Sequence, residues 1–173
     1  MDREEQRRLL KIARDSIKTS YLEEQPAIPP STEALGAFVT LRKHGELRGC
    51  IGYMSPVCPL NEQIARLARS AAFEDYRFPR LDESELESCT IEISLLSHPR
   101  RIQSVDEFLL GTHGVVLTVG GRRAVFLPQV AVETGWNKDE LLAALSRKAG
   151  LPADAWRSPS ATFDVFTAEV FSE

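Results

Sequence analysis

The sequence predicts an α+β fold in which an antiparallel β-sheet is flanked by α-helices. Segments with helical periodicity occur near the N-terminus and at residues 59–74 and 138–149. Apolar strand-like segments are joined in pairs by short turns, which favours antiparallel hairpins over βαβ crossovers. With 43% hydrophobic residues, the chain has enough apolar material for one domain over residues 1–173, and a division into two lobes remains an alternative.

The N-terminal third is predicted to hold a helix followed by a hairpin. Apolar residues recur at helical spacing over residues 3–23, and prolines from Pro26 onwards end that helix. Strands at residues 36–43 and 46–53 then form the hairpin. Gly45 suits its turn because glycine adopts a positive φ readily.

The middle third is predicted to hold a helix, a helical turn and a strand. The helix covers residues 59–74 and the turn covers residues 82–87. The strand covers residues 89–97, where apolar side chains alternate with polar ones. One face of this strand is therefore expected to cover a core, while Glu92 and Ser94 lie on the other face.

The C-terminal third is predicted to hold a second hairpin between two helices, followed by a strand. Residues 104–110 resemble a short helix, and a Gly-Gly turn joins strands at residues 115–119 and 122–127. Residues 138–149 form the last helix, which a glycine ends. Residues 163–171 are predicted as one closing strand.

Charge and leader features favour a cytoplasmic protein without nucleic-acid or membrane partners. The net charge is −4, and basic residues are interleaved with acidic ones, whereas nucleic-acid binders usually carry a basic stripe. The N-terminus is charged and lacks the apolar core of a signal peptide, and no segment has the length of a membrane span. Three cysteines suit a reducing compartment better than a disulfide framework.

The segment from Leu47 to Gly52 is the most informative stretch for function. If it is extended, Arg48, Cys50 and Gly52 share one face of a strand. A cationic neighbour raises the thiolate fraction of a cysteine, and Gly49 and Gly52 let a backbone or a ligand approach closely. Three interpretations of Cys50 stay open: a small core residue, a contact for a ligand or partner, and a nucleophilic or redox thiol.

Seven blocks in this order resemble the AMMECR domain family, also called protein A of the AmmeMemoRadiSam system. The blocks are Gly36-Ala37-Phe38-Val39-Thr40-Leu41, Leu47-Arg48-Gly49-Cys50-Ile51-Gly52, Ala71-Ala72-Phe73-Glu74-Asp75-Tyr76-Arg77-Phe78, Glu92-Ile93-Ser94-Leu95-Leu96-Ser97, His113-Gly114-Val115, Phe126-Leu127-Pro128-Gln129 and Lys148-Ala149-Gly150-Leu151. Each block is weak alone, whereas the ordered set is specific and covers the chain from about Gly36 to Phe171.

The resemblance implies an antiparallel sheet flanked by helices plus a smaller second lobe, with the larger lobe built from both the N- and the C-terminal segments. It also implies two partners, a Memo-like protein and a radical S-adenosylmethionine enzyme. This chain has no CxxxCxxC cluster motif, so any radical chemistry would belong to the partner. The biochemical activity of the family is unsettled.

Further candidate site residues lie in the same blocks. Asp75 and Arg77 follow a helix, either as an exposed ion pair or as a site where the arginine binds an anion. Glu92 is a candidate general base if its strand face lies in a cleft, and Ser94 on that face can bond a ligand. His113, at a strand entrance, is a second candidate base, although a surface histidine is the alternative.

The sequence gives little support for a metal or a cofactor. The cysteine spacing matches no zinc motif, so a metal would need ligands from distant segments, such as Cys50, Glu92 and His113. Neither a GxSxG elbow nor a GxGxxG or Walker A motif is present. We therefore predict no resident cofactor and no metal site.

Two hypotheses about function follow. The first is an enzyme, or a component of one, with Cys50, Glu92 and His113 as catalytic residues. Its substrate would be small and anionic or polar, bound by Arg48, Gly49, Gly52, Asp75, Arg77 and Ser94. The alternative is a non-catalytic binding module that uses the same motif surface, and a nucleic-acid-associated protein ranks third.

Overall fold

The computed structural model describes residues 1–173, which divide into two compact units. The first unit comprises Met1–Leu96 together with Glu169–Glu173, and the second comprises Ser97–Ala168. The helices are α1 (Arg3–Tyr21), α2 (Leu60–Phe73), α3 (Glu83–Leu86), α4 (Gln129–Thr134) and α5 (Lys138–Lys148). The strands are β1 (Gly36–Lys43), β2 (Glu46–Tyr53), β3 (Cys89–Leu96), β4 (Arg100–Ile102), β5 (Gly114–Val119), β6 (Arg122–Phe126), β7 (Thr162–Phe166) and β8 (Ala168–Ser172).

Helices α1 and α2 pack against each other and cover one face of the first sheet. Helix α1 begins with a capping box, in which the Asp2 carboxylate accepts N–H groups of the first turn and the Glu5 side chain accepts the N–H of Asp2. The apolar stripe predicted for residues 3–23 is confirmed, since Leu9, Ala13 and Ile17 are fully buried. None of the helices is both long and apolar enough to cross a membrane.

The first sheet has the strand order β2-β1-β3-β8, and β1 pairs antiparallel with both β2 and β3. The predicted alternation along β3 is confirmed, because Ile91 and Ile93 are fully buried and Glu92 lies on the opposite face. Val39 and Leu41 of β1 continue the apolar face. The other face, on which Thr40 and Cys50 lie beside Glu92, is called the polar face below.

The hairpin predicted at residues 36–43 and 46–53 is confirmed with the same bounds. Its turn has positive φ at two successive residues, His44 (52°) and Gly45 (81°). This is the backbone of a type I′ turn, whose twist matches that of the flanking strands.

A β-bulge interrupts the hairpin two residues before Cys50. Arg42 pairs with Leu47 but Leu41 pairs with Gly49, so Arg48 is an extra residue in β2. If the same sequence paired regularly from the turn, without a bulge, Cys50 would lie opposite Val39 on the apolar face. The bulge therefore moves Cys50 to the polar face, opposite Thr40.

The second unit is built on a sheet with the order β4-β7-β5-β6, and all its neighbouring strands pair antiparallel. The core of this unit lies between the sheet and α5, and its most buried members are Leu117, Leu142 and Leu145. The predicted Gly-Gly turn is confirmed, since Gly120 and Gly121 both have positive φ between β5 and β6.

Two predictions about elements were wrong. Residues 163–171 do not form one strand, because β7 and β8 belong to different sheets and break at Thr167. Two hydrogen bonds between Ser97 and Thr167 stabilise the chain at this break. The N–H of Ser97 donates to the carbonyl of Thr167, and the N–H of Thr167 donates to the hydroxyl of Ser97. The helix predicted at 104–110 is only a short 3-10 turn at Val105–Glu107.

Candidate functional site

Cys50 lies in the middle of β2, which is one of the two edge strands of the first sheet. The register places three chemically distinct side chains in one row across the polar face: Cys50 on β2, Thr40 on β1 and Glu92 on β3. Neighbouring strands are about 4.8 Å apart, so the Cα atoms of Cys50 and Glu92 are separated by roughly 10 Å with Thr40 between them.

Cys50 is partly buried and is not a member of the apolar core cluster of the first unit, which does not favour the core interpretation. The Thr40 hydroxyl donates a hydrogen bond to Cys50 Sγ over 3.2 Å. Thr40 itself is only 7% exposed, whereas Cys50 is less completely buried.

Two side chains from the loop after α2 hold the backbone of Cys50. Asp75 Oδ2 accepts the N–H of Cys50 at 2.9 Å, and Arg77 Nη2 donates to the carbonyl of Cys50 at 3.2 Å. These backbone groups point to the open edge of the sheet, where a further strand would otherwise bind them. This pair, the Asp75–Arg77 clamp, fixes the backbone that carries the thiol.

The clamp is itself a bidentate ion pair. Arg77 Nε donates to Asp75 Oδ1 at 2.9 Å and Arg77 Nη2 to Asp75 Oδ2 at 2.7 Å. The Asp75 side chain is 2% exposed, whereas that of Arg77 is 46% exposed. Hydrogen bonds from Arg77, assisted by the backbone N–H of Cys50, hold the pKa of Asp75 well below its usual range. The buried carboxylate therefore stays ionised, and the arginine keeps an exposed edge.

Arg48 is occupied by partners within the protein. Its guanidinium binds the Glu85 carboxylate, with Nη2–Oε2 at 3.0 Å, and donates to the carbonyl of Pro79 at 2.9 Å. Lys43 binds the same carboxylate at 2.8 Å. Hydrogen bonds from Arg48 and then Lys43 lower the pKa of Glu85 to about 2. The arginine predicted as an anion binder thus anchors the bulge to the α3 region.

Both glycines of the motif are needed for packing. A Cβ atom at Gly49 would overlap the carbonyl oxygen of Ala71, so glycine allows α2 to approach β2 closely. A Cβ atom at Gly52 would overlap the ring of Phe38, which lies over this glycine from the neighbouring strand. Neither overlap can be relieved without moving a backbone or the Phe38 ring.

Glu92 and Ser94 share the polar face with Cys50. Glu92 is partly exposed and lies 3.8 Å from Arg42 Nη2, which is a loose contact that leaves its carboxylate available. Ser94 is buried and pairs across the strands with Phe38. Cys50, Glu92 and Ser94 therefore share one face of the first sheet, and the clamp adds Asp75 and Arg77 at its edge.

His113 belongs to the second unit, where its Nδ1 accepts the backbone N–H of Leu109 at 3.1 Å. It is not among the residues that the first sheet gathers, so its catalytic role stays a prediction. With Nδ1 acting as an acceptor, only Nε2 is left for other chemistry.

The other two cysteines have different surroundings. Cys89 is buried at the start of β3, and burial raises the pKa of its thiol. Burial also raises the pKa of Cys58. No group of three or more His, Cys, Asp or Glu side chains is arranged to hold a metal ion.

Sequence reasoning missed Thr40 and Phe38 as parts of this site. The signal for them is the cross-strand pairing of the hairpin, which identifies residues opposite Cys50 and Gly52. Counting from the turn gives the wrong partners, because the bulge at Arg48 shifts the register by one residue.

The arrangement suits addition of sulfur to an electrophilic centre. A cysteine that is not fully buried can form a bond to a bound molecule, and a carboxylate on the far side of the row can exchange a proton with that molecule. The exposed guanidinium edge of Arg77 next to Cys50 offers donors for an anionic group.

This chain is similar to known proteins over most of its length and in its fold. A sequence model of the AMMECR1 family matches residues 10–171. A protein of Methanopyrus kandleri is 41% identical over 179 residues, covering 95% of this chain and 86% of that protein. One from Thermococcus kodakarensis is 36% identical over 181 residues, covering 95% and 88%. The crystal structure of an uncharacterised protein from Pyrococcus horikoshii is similar, with a TM-score of 0.85, 34% identity and coverage of 95% of this chain and 89% of that chain.

Proposed function

Since this chain belongs to the AMMECR1 family, we propose that it is an enzyme, or a component of one, whose reacting group is the Cys50 thiol. The observation that carries the proposal is the row of thiol, hydroxyl and carboxylate formed by Cys50, Thr40 and Glu92 across one sheet face. A core cysteine would need neither a hydrogen-bonded hydroxyl beside its sulfur nor a backbone held by an ion pair at the sheet edge.

The residues of the site take different roles in this proposal. Cys50 is the nucleophile, and Glu92 acts as acid or base on the bound molecule from the opposite side of the row. Arg77 contacts an anionic group of the substrate with its exposed edge, and Ser94 lies on the sheet face of Cys50 and Glu92 but is itself buried. Asp75 holds Arg77 and the backbone of Cys50 in place.

The substrate class is a small polar or anionic molecule with an electrophilic carbon. Sulfur forms the new bond to that carbon, and the displaced electron pair moves onto the electronegative atom bonded to it. The thiol proton leaves to water, since Cys50 is not fully buried. The Cα atoms of Cys50 and Glu92 are roughly 10 Å apart, so the bound molecule must span the row for one of its groups to lie within hydrogen-bond distance of Glu92 and exchange a proton with it.

A cytoplasmic location suits this chemistry. All three cysteines are free thiols, and a reducing compartment keeps a nucleophilic thiol reduced. The partners implied by the resemblance, a Memo-like protein and a radical S-adenosylmethionine enzyme, would supply or consume the substrate in a modification pathway.

A comparison of adduct formation tests the enzyme proposal. Wild-type protein is incubated with the small-molecule fraction of a cell extract and analysed by intact-protein mass spectrometry and for loss of any metabolite. We expect an adduct or a turnover that Cys50→Ser abolishes and Cys58→Ser retains, since Cys58 is the other partly exposed thiol. Full activity in Cys50→Ser would exclude the thiol role.

A binding module is the second candidate, and one observation favours it. Three residues of the motif, Arg48, Gly49 and Gly52, serve internal packing, so the polar face is a rigid surface well suited to docking. In that case Cys50→Ser should bind the Memo-like protein as tightly as wild type does, whereas Glu92→Lys should weaken binding. Glu87→Lys, an exposed carboxylate on another part of the unit, is the matched control. Equal affinity of Glu92→Lys and wild type would exclude this use of the face.

A further inference from the structure

We infer that the outer edge of β2 binds the C-terminal end of an extended peptide, whose terminal carboxylate is held by Arg77 and by the backbone N–H of Gly52. The inference goes beyond the proposed function, because it needs neither the Cys50 thiol nor any bond-forming step. It rests on the proposed function in one respect, which is the use of Arg77 to hold an anionic group.

The backbone groups of Gly52 point to the open edge of the first sheet. The N–H and C=O groups of Cys50 face outwards from β2, where Asp75 and Arg77 bind them. Outward and inward pairs alternate along an antiparallel ladder, and Gly52 follows Cys50 by two residues in regular pairing with β1. Gly52 therefore presents an N–H and a C=O at the same edge. The residue is partly exposed, and no loop backbone bonds to either group.

The guanidinium of Arg77 has further donors at this edge. Asp75 accepts from its Nε and Nη2 atoms, and Nη2 also donates to the carbonyl of Cys50 at 3.2 Å. Both N–H groups of Nη1 remain, and the side chain is 46% exposed. Along the outer edge of β2, the Cys50 carbonyl is followed directly by the N–H of Gly52. Arg77 and Gly52 thus offer neighbouring donors.

A peptide carboxyl terminus pairs with all of these groups at once. In antiparallel pairing, the N–H of the last peptide residue donates to the Gly52 carbonyl, and one carboxylate oxygen accepts the Gly52 N–H. The other carboxylate oxygen then faces Arg77, and charge-assisted bonds of this kind are the strong ones. A free inorganic anion would use the donors but leave the Gly52 carbonyl without a partner.

The Asp75–Arg77 clamp explains why the bound chain ends at this point. The next outward pair of groups belongs to Cys50, and the clamp already binds both of them. A peptide that continued along β2 would have to displace an ion pair whose carboxylate is 2% exposed. The edge is therefore open next to a cation and closed beyond it, which suits a chain end. Tyr76, between the clamp residues, is 96% exposed, and tyrosine is enriched at protein interfaces.

The first test is affinity selection from a library of random hexapeptides with free C-termini, compared with the same library as C-terminal amides. Mass spectrometry identifies the retained peptides, and fluorescence anisotropy gives the Kd of the tightest one. We expect retention of free-acid peptides and roughly tenfold weaker binding after amidation, because a charge-assisted hydrogen bond is lost. Failure of every peptide to bind, or equal affinities of acid and amide, would overturn the inference.

Methylation of single peptide nitrogens tests the strand pairing. Methylation at the last residue removes the donor to the Gly52 carbonyl and should weaken binding by about fivefold or more. The N–H of the penultimate residue points away from β2, so its methylation should change the affinity by less than about twofold. Equal effects at the two positions would contradict this pairing. Displacement of the peptide by an equal concentration of acetate would show a simple anion site and exclude the peptide as occupant.

Protein variants and an NMR signal locate the site. Arg77→Gln should weaken binding roughly tenfold, whereas Arg80→Gln, which removes an exposed charge from the same loop, should leave it within about twofold of wild type. Thermal unfolding checks the fold. If Arg77→Gln does not fold, Arg77→Lys replaces it and should also bind more weakly, because an ammonium lacks the planar fork of donors. The amide signal of Gly52 in the wild-type protein should shift on peptide addition, and an unchanged signal would place the peptide elsewhere.

The outcomes separate this inference from the proposed function. Absence of peptide binding overturns the inference and leaves the adduct test of Cys50 as it stands. Full activity in Cys50→Ser overturns the thiol role and leaves the peptide site intact, since no step at the edge involves sulfur. Unchanged peptide affinity in Arg77→Gln would overturn the inference and also remove Arg77 as an anion binder.

Discussion

Asp75 accepts the backbone N–H of Cys50 at 2.9 Å, although the two residues lie 25 positions apart in the sequence. Because Cys50 lies on the edge strand, this carboxylate takes the place of a neighbouring strand at that point. Arg77 binds the other free backbone group of this residue, because it donates to the carbonyl of Cys50. The loop after α2 thus sets the position of the thiol without contacting its sulfur atom.

Asp75→Asn should destabilise the protein by about 2 kcal/mol, because hydrogen bonds to a charged group contribute roughly 1.5–3 kcal/mol and the amide cannot bind Arg77 at two points. Urea unfolding at neutral pH measures the change. Glu74→Gln, at the exposed neighbouring residue, should be nearly neutral. Equal stability of Asp75→Asn and wild type would show that the clamp contributes little to folding.

Glu85→Gln should be destabilising at neutral pH but not in acid. The pKa of Glu85 is lowered to about 2 in the folded protein from a usual value of 4.5. Its contribution is therefore complete above about pH 4.5 and is lost as the pH falls towards 2. The free energies of unfolding of variant and wild type, measured across this range, should converge in acid. Glu87→Gln, an exposed control, should show no such convergence.

Gly52→Ala should lower stability by about 1–3 kcal/mol, the usual cost of overpacking, because the new methyl group would overlap the Phe38 ring and would also lie only 2.6 Å from the carbonyl oxygen of Ala37. Combining it with Phe38→Ala should recover part of the loss. Gly49→Ala should not be rescued in this way, since the atom it meets is the backbone carbonyl of Ala71. Thermal unfolding of the single and double variants checks the contrast, and additive losses for Gly52 and Phe38 would contradict it.

The three cysteines should react with an alkylating reagent in a fixed order in the folded protein. Cys50 should be labelled first, Cys58 next and Cys89 last, since Cys89 is only 4% exposed and burial raises the pKa of both other thiols. Peptide mass spectrometry at increasing reaction times gives the order. All three should react alike in denaturant, and early labelling of Cys89 in native protein would show that β3 opens readily.

The elements that were predicted well are those fixed by local pattern. The first hairpin and the face of β3 that is buried follow from alternation and from a turn with positive φ, and both are confirmed. The split between β7 and β8 was missed, because both segments have strand-like composition and the choice of sheet depends on distant partners. Strand assignment is local, whereas sheet assignment is not.

Some residues of the candidate site were likewise predictable from local sequence, whereas others depend on distant partners. The motif blocks alone indicated Cys50, Asp75, Arg77 and Glu92, which the first unit gathers around one strand edge and one sheet face. The internal role of Arg48 was not predicted, because its partner Glu85 lies 37 residues away. The charge of an arginine is known from the sequence, whereas its ion-pair partner is known only from the fold.

Local pattern and the ordered motif blocks are enough to identify the family, the α+β class, most of the elements and a cysteine between glycines on a strand. The face of the sheet that this cysteine occupies follows only from the way in which the strands pair. Side chains alternate with a period of two, so one extra residue moves every later side chain to the opposite face. That residue is Arg48, and the distant carboxylate of Glu85 holds it in place.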